Sequence, residues 1–345
     1  MAIHQAIQNL LLVGVRMPPA VMPAKPELPR RLLPLIEAIS PSQREYNAIA
    51  VKFGHRYRSA FWAIYMLSAL AVMCAGLPLA LGWDDVRSGM SHLSGIWVLS
   101  ELLIIAAVGF IYWRGHRQNW QSQWLGARTK AELAWYLPLI APLVDFQGEA
   151  GAVNWYAHLF TREQPVQAGD DIDILCVRNA ALARSQLETA WTDPQFIDSY
   201  ARWAITLMKG QSLYHRRLAI RQHALQHRVH AINTWLFGLT ALGALAHLVV
   251  HSRVLSLVTT FFPAMGASLH GALAQSEAYR LEATSERLTV ELERVIDDIS
   301  KTLAMPDLTA SAEALKAAIL AALTLILDEH KDWHMLVRPH HLPLG

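Results

Sequence analysis

Charge is scarce in this chain. Only 17% of its 345 residues are Asp, Glu, Lys or Arg, while 53% are hydrophobic; soluble domains average about 25% charged. The shortage is concentrated in four apolar stretches, which argues for membrane-crossing helices rather than one large soluble core. The net charge is +2, too small to point to nucleic acid as a partner. There are two cysteines. Cys74 lies in an apolar stretch and Cys176 in a polar one, so no disulfide between them is expected and neither points to an oxidising compartment. The first 15 residues lack the charged n-region and small-residue cleavage site of a signal peptide. A Gly-rich phosphate loop, a nucleophile elbow, an HExxH pair and a Cys-x-x-Cys pair are all missing from the sequence. Enzymatic activity, a cofactor and a metal site are therefore not expected.

The apolar stretches themselves carry the first positive information. Residues 94–113 read SGIWVLSELLIIAAVGFIYW, about 20 residues, enough to cross a bilayer core of roughly 30 Å. The one acidic or basic side chain in this run is Glu101. A carboxylate at such a position costs about 2.5–3.5 kcal/mol on insertion scales, which the surrounding aliphatic residues offset. Tyr112 and Trp113, then Arg114, His116 and Arg117, close the run as an aromatic belt followed by a basic flank.

The other spans follow by the same reasoning. Residues 59–83 hold no charge until the turn at Asp84 and Asp85, and residues 231–250 and 254–274 flank the short turn His251-Ser252-Arg253. Lys52, Arg56, Arg58, Arg114 and Arg117 sit at the outer ends of the first pair, so the positive-inside rule places both long flanks in the cytoplasm and the turns outside. The expected architecture is all-α: four transmembrane helices in two hairpins with helical cytoplasmic extensions, both termini cytoplasmic.

Between the spans the sequence divides further. Residues 1–17 suit a short amphipathic helix, and the prolines at 18, 19, 23, 26, 29 and 34 suit an extended linker, giving an N-terminal segment over 1–40. The first hairpin and its flanking helices take 41–137, with a basic helix starting at Ser40 or Ser42 and a helix at 120–136 that extends the second span. Residues 138–213 form a cytoplasmic insert, with loops at 137–170, a strand-like run at 172–177 and amphipathic helices at 180–191 and 196–209. The second helix starts after Asp193-Pro194. The second hairpin takes 214–303, and 304–345 hold a last amphipathic helix whose apolar run, 315–327, is too short to span. The two halves repeat one plan: basic helix, span, tight turn, span, charged helix.

Several side chains could carry function. Glu101 is a pore-lining or gating acid, or else a structural acid paired with His247, His270 or a hydroxyl. Ala264, Ser268, Ala272 and Ser276, with Ala267 and Gly271 beside them, form a small-residue stripe suited to close helix packing or to a pore wall. Pro263 could kink that span into a hinge, which adds Pro263, Ser268 and His270 to the gate candidates. Arg56, Arg58, Arg216, Arg217, Arg221 and Arg228 suit lipid headgroups or a nucleotide phosphate. His223, His227 and His230 share a helix face but have no carboxylate in the run, which favours a basic membrane-facing helix over a metal site. Asp170, Asp171 and Asp173 read as a solvated acidic turn. Spans with so few polar groups would conduct as a homo-oligomer, with membrane lipids as partners.

The chain also resembles the SLATT class of bacterial membrane proteins, effectors associated with SLOG sensors and SMODS nucleotidyltransferases. The matching stretches are YRSAFWAIYMLSALAV (57–72), LSELLIIAAVGFIYW (99–113) and QSQWLGARTKAELAWYL (121–137). In the second half they are YHRRLAIRQHALQHRVHAIN (214–233), FPAMGASLHGALAQSEAYRLEATSERL (262–288) and DEHKDWHMLVRPHHLPL (328–344). The resemblance is to the four-span version of the class and covers about two-thirds of the chain. It implies an effector of an anti-phage system that damages the inner membrane as an oligomeric channel or pore when a nucleotide second messenger is sensed. A SLOG sensor usually precedes the spans in that class, and about 40 residues do so here. Sensing is therefore expected in the 138–213 insert or in a separately encoded partner. The alternative is a non-conducting anchor or scaffold that recruits such a partner.

Overall fold

The computed structural model describes residues 2–15, 17, 19, 27–85, 89, 91–144 and 170–337, and the side chains among them except at 91, 92, 170, 171, 173, 177 and 328–337. Among the described residues every regular element is helical: α1 (Ile3–Leu11), α2 (Leu33–Leu81), α3 (Ser91–Arg117), α4 (Trp120–Ile140), α5 (Asp170–Leu187), α6 (Pro194–Val249), α7 (Arg253–Gln275), α8 (Ala278–Thr302) and α9 (Leu308–Val337).

Two long helices set the frame. α2 has 49 residues and α6 has 56, about 74 and 84 Å at 1.5 Å per residue. Each is far longer than a bilayer core of roughly 30 Å, so each has an apolar arm and a polar stem. The basic helix and the span of each half are thus one continuous helix. α2 begins at Leu33 rather than at Ser40 or Ser42. Pro34 sits at its first turn, where the missing N–H costs nothing, and Ser40 Oγ donates to the Ile36 carbonyl (2.6 Å) inside the helix. The end of the expected linker is also structured: residues 30–32 form a 3-10 turn and Leu32 is fully buried.

α2 ends where the sequence places a turn. Gly82 adopts φ +70°, its N–H donates to the Leu79 carbonyl, and the Trp83 N–H reaches the Pro78 carbonyl. This is the left-handed helix stop that glycine adopts without a Cβ penalty. α3 then runs back along the apolar arm and α4 along the stem. Residues 133–140 of α4 pack on residues 32–39, while Trp120 and Trp124 pack near Tyr57 and Phe61. The expected extension of the second span is instead a separate helix, because Asn119 takes left-handed φ 45° between α3 and α4.

The second half repeats this geometry. α7 returns along the arm of α6 and α8 along its stem, and the break between them is Glu277 at φ 55°. Among the described residues, Asn119 and Glu277 are the non-glycine residues at positive φ. Each sits two residues after its arm helix and one before its stem helix. The internal repeat is therefore clearer in the backbone than in the residues.

The hairpins meet through α7, which touches both α2 and α6. A Cβ on Gly271 would lie 2.5 Å from Tyr65 Cε1 of α2, and one on Gly266 would lie 3.4 Å from Asn233 Oδ1 of α6. α3 packs on the flank of α2, and none of its most apolar window is buried in the protein. Below, the stems share a core with α5 and α9, in which Tyr200, Trp203, Leu292, Leu315 and Leu323 are buried.

Three details of the stem correct the sequence reading. The expected strand-like run at 172–177 belongs to α5, because Ile172, Leu175 and Cys176 bury one helical face in the shared core. The helix expected at 180–191 ends at Leu187 and is followed by a 3-10 turn at 190–192. The apolar part of α9 extends over Leu308–Leu327, 20 residues of mean hydropathy 1.8, which is long and apolar enough to cross a membrane. It nonetheless packs in the stem, with Leu315, Ile319, Ala322 and Leu323 fully buried. Among the described residues, five helices are thus long and apolar enough to span. Asp193 starts α6 as anticipated: its carboxylate accepts from the Gln195 and Phe196 N–H groups and binds Arg31 at 3.0 Å, and the Arg31 bond holds its acidity above that of an ordinary aspartate. Much of the expected insert, 145–169, lies outside the described residues.

The α7 contact yields a direct stability test. Gly271→Ala pushes a methyl into the Tyr65 ring, so its thermal midpoint in detergent should fall by several degrees, for an overpacking cost of about 1–3 kcal/mol. Gly238→Ala on α6, where a Cβ meets open space, should leave the midpoint unchanged or raise it.

Candidate functional site: an acidic groove and a basic collar

Glu101 owes its position to helical period. Along α3 the more covered residues are Trp97, Glu101, Ile104, Val108 and Ile111, a stripe at three- and four-residue spacing, while Leu99, Leu102, Leu103 and Ile105 are exposed. The stripe faces α2, so Glu101 points along the protein rather than away from it. It opens onto a groove of about 620 Å³ between α2, α3 and α7. The groove exists because α2 presents Ala71, Ala75 and Gly76 there. Ser256 and Thr260 of α7 add hydroxyls, and Asp84 and Arg253 stand at the turn end.

Arg253 and Asp84 pair at 3.4 Å, across the two turns. This pair is exposed and worth at most about 1 kcal/mol, but it neutralises both charges at the groove mouth. Thr260 Oγ1 donates to the Ser256 carbonyl (2.7 Å), which leaves its lone pairs free to accept. Among the described residues Glu101 forms no ion pair, and neither His247 nor His270 is its partner. Apart from the Asp84–Arg253 pair at its mouth, the groove therefore presents the Glu101 carboxylate and hydroxyl oxygens in an apolar wall, a donor set that suits a cation.

The other gate candidates are not brought to Glu101. Pro263 lies within a continuous α7 and is exposed, as are Ala267 and His270. Ser268 and Ala272 are buried and Ala264 is half-buried. With Gly271 against Tyr65, Ser268 and Ala272 form the contact of α7 with the rest of the bundle. His247 Nδ1 is buried without a partner at the far end of α6, with its ring 6.0 Å from that of His251.

A second cluster lies where arms and stems join. Arg58 stacks over the Trp124 ring (5.3 Å) and donates to the Gly54 carbonyl (3.1 Å), so this predicted lipid contact turns inward. Burial, reinforced by Arg128 and Arg221, makes its guanidinium a weaker base than usual. Arg221 donates to Gln8 Oε1 (2.9 Å) and Arg228 to the Val13 carbonyl (3.3 Å). Both thereby hold α1 against the collar. Arg56 and Arg216 are exposed and Arg217 is half-buried.

His4 is the pin of that contact. It is buried, its Nδ1 lies 3.1 Å from Ser59 Oγ, and its ring is 5.3 Å from that of His55. Burial, then Arg58, His55 and Arg221, push it down to about 4. Deeper in the stem His215 meets Ser285 at 3.4 Å, and burial with Arg128 nearby likewise lowers it to about 4. His223 pairs with Glu282 of α8 at 2.7 Å, a carboxylate from outside its own run. Among the described residues no three His, Cys, Asp or Glu converge as metal ligands. The side chains of Asp170, Asp171 and Asp173 lie outside the described residues. The docking of α1 was not legible in the sequence: a helix at 1–17 was, but nothing in its neighbourhood names Ser59, Arg221 or Arg228 as partners.

Because docked His4 binds its proton less readily than free histidine, docking is at full strength above pH 6.5. It weakens as the pH falls from 6.5 towards 4. A nitroxide on Asn9→Cys should become more mobile between pH 7.5 and 5, and the added substitution His4→Asn should flatten that response.

No protein-family model matches the chain, no curated protein matches it, and no solved structure matches it.

Proposed function

We propose that the protein is an inner-membrane effector of a bacterial anti-phage defence system, acting as an oligomeric, cation-favouring channel or pore that disrupts the membrane when triggered. In this reading α3, α7 and the arms of α2 and α6 are four membrane spans, the stems and both termini are cytoplasmic, and α9 is a stem helix. The observation that carries it is the Glu101 groove, an acid held in the apolar arm by a stripe facing α2. Intramembrane acids are rare and mark ion pathways. Copies of the chain around an axis would set several such carboxylates in a ring, the arrangement that selects cations. The defence role rests on the resemblance to SLATT effectors. A nucleotide second messenger or a separately encoded sensor would act on the stem.

One observation favours a second reading. The stem has a large buried core of its own, built from six helices, more than a pore requires. A non-conducting anchor or scaffold would use that body to recruit a partner.

Ion leakage from liposomes carrying the purified protein separates the two. Glu101→Gln should lower cation flux by about tenfold, the effect of roughly 1.4 kcal/mol on a barrier. Flux that ignores the substitution would reduce Glu101 to a packing residue. No flux from either protein, with cyclic nucleotides added, would favour the scaffold.

A further inference from the structure

We infer that α1 is an interfacial helix whose outward face lies in the anionic lipid surface beside the first and third spans. The inference rests on the proposed membrane crossing, and concerns a segment which that reading leaves without a role.

α1 carries no charged side chain: its sequence is IHQAIQNLL. One face docks on the protein through His4, Ile7, Leu11 and Leu12. The opposite face presents Ile3, Ala6, Leu10 and Val13, at intervals of three and four residues. Ile3 is 55% exposed, Leu10 73% and Val13 66%. An aliphatic stripe of this kind left in water is unfavourable, and on a charge-free helix nothing polar covers it.

The depth of α1 is fixed by its partners. His4 binds Ser59, the first residue of the first apolar run, and Val13 binds Arg228, three residues before the third. α1 therefore lies at the level where headgroups meet acyl chains, its axis held by contacts to both hairpins. Lys52, Arg56 and Arg228 are exposed on the neighbouring helices, and their charges complement lipid phosphates. An apolar face flanked by basic residues at that depth fits an anionic bilayer surface. A second copy of the chain would find no such charge match in α1.

The test places nitroxides on Leu10→Cys, Leu103→Cys and Val290→Cys in turn, in a Cys74→Ala, Cys176→Ala background, in vesicles of phosphatidylethanolamine and phosphatidylglycerol. Accessibility to oxygen, which partitions into lipid, is compared with accessibility to a water-soluble nickel chelate. Leu103 on α3 and Val290 on the stem are both exposed and serve as the lipid and water references. The expected result is an oxygen-to-nickel ratio at residue 10 several-fold above that at 290 and below that at 103. Val13→Cys should repeat it. A ratio at 10 equal to that at 290, with 103 in lipid, would overturn the inference and leave the crossing intact. Water exposure at 103 would instead sink the membrane reading itself. Exclusion of both reagents from residue 10, with dipolar broadening between labels, would assign the face to a second copy and also overturn the inference.

Discussion

The arrangement depends on how closely α7 approaches its two neighbours. It lies against α2 and α6 at once, and small residues make this possible on both sides. Gly271 leaves room for Tyr65 on one side, Gly266 meets Asn233 on the other, and Gly243 of α6 admits Val258 at 3.1 Å from where a Cβ would be. In a bilayer, lipid tails are as apolar as leucine, so helix association rests on this kind of close van der Waals contact rather than on expulsion of water. Without α7 as a wedge the two hairpins would share only their stems. The Glu101 groove also follows from it, since α7 supplies one wall, α3 the other and α2 the floor.

The two halves solve one geometric problem twice. A helix returning along a partner of 49 or 56 residues must change its packing surface where the apolar arm gives way to the polar stem. Both return paths do so through a single left-handed residue, Asn119 or Glu277. Asparagine visits that conformation readily, whereas glutamate has no such preference. The recurrence at the same offset points to a constraint of the fold rather than of local sequence. The collar of Arg58, Trp124, His4 and Arg221 gathers at this same level, where the apolar arms give way to a packed stem.

What could be read in the sequence was what depends on composition or on strong local signals. The apolar runs are visible because they lack charge, the first turn because Asp84 and Asp85 follow a long uncharged run, and the start of α6 because Asp193-Pro194 caps a helix. Of the small residues on α7, Ser268, Gly271 and Ala272 lie at the helix contact, whereas Ala267 is exposed. Tertiary contacts decided the rest. Ile172, Ile174 and Val177 favour a strand locally, but a face of Ile172, Leu175 and Cys176 finds a helical core to bury in. Glu277 gives no sign that it ends a helix. Glu101 was visible as an anomaly, but its groove depends on alanines and a glycine 25 to 30 positions away on α2. The partners of the α1 segment lie on two other helices, Ser59 on α2 and Arg221 and Arg228 on α6, beyond the reach of any local pattern.

The central claim is that the two turns sit on one side of a membrane and the whole stem, α9 included, on the other. Single cysteines at Asp85, Ser252, Asp193 and Asp307, in a background lacking Cys74 and Cys176, test it with a membrane-impermeant maleimide on oriented vesicles. Residues 85 and 252 should label together from one side, and 193 and 307 together from the opposite side. Labelling of 307 from the same side as the turns would contradict it, because the stem would then be divided by the membrane and its shared core could not form.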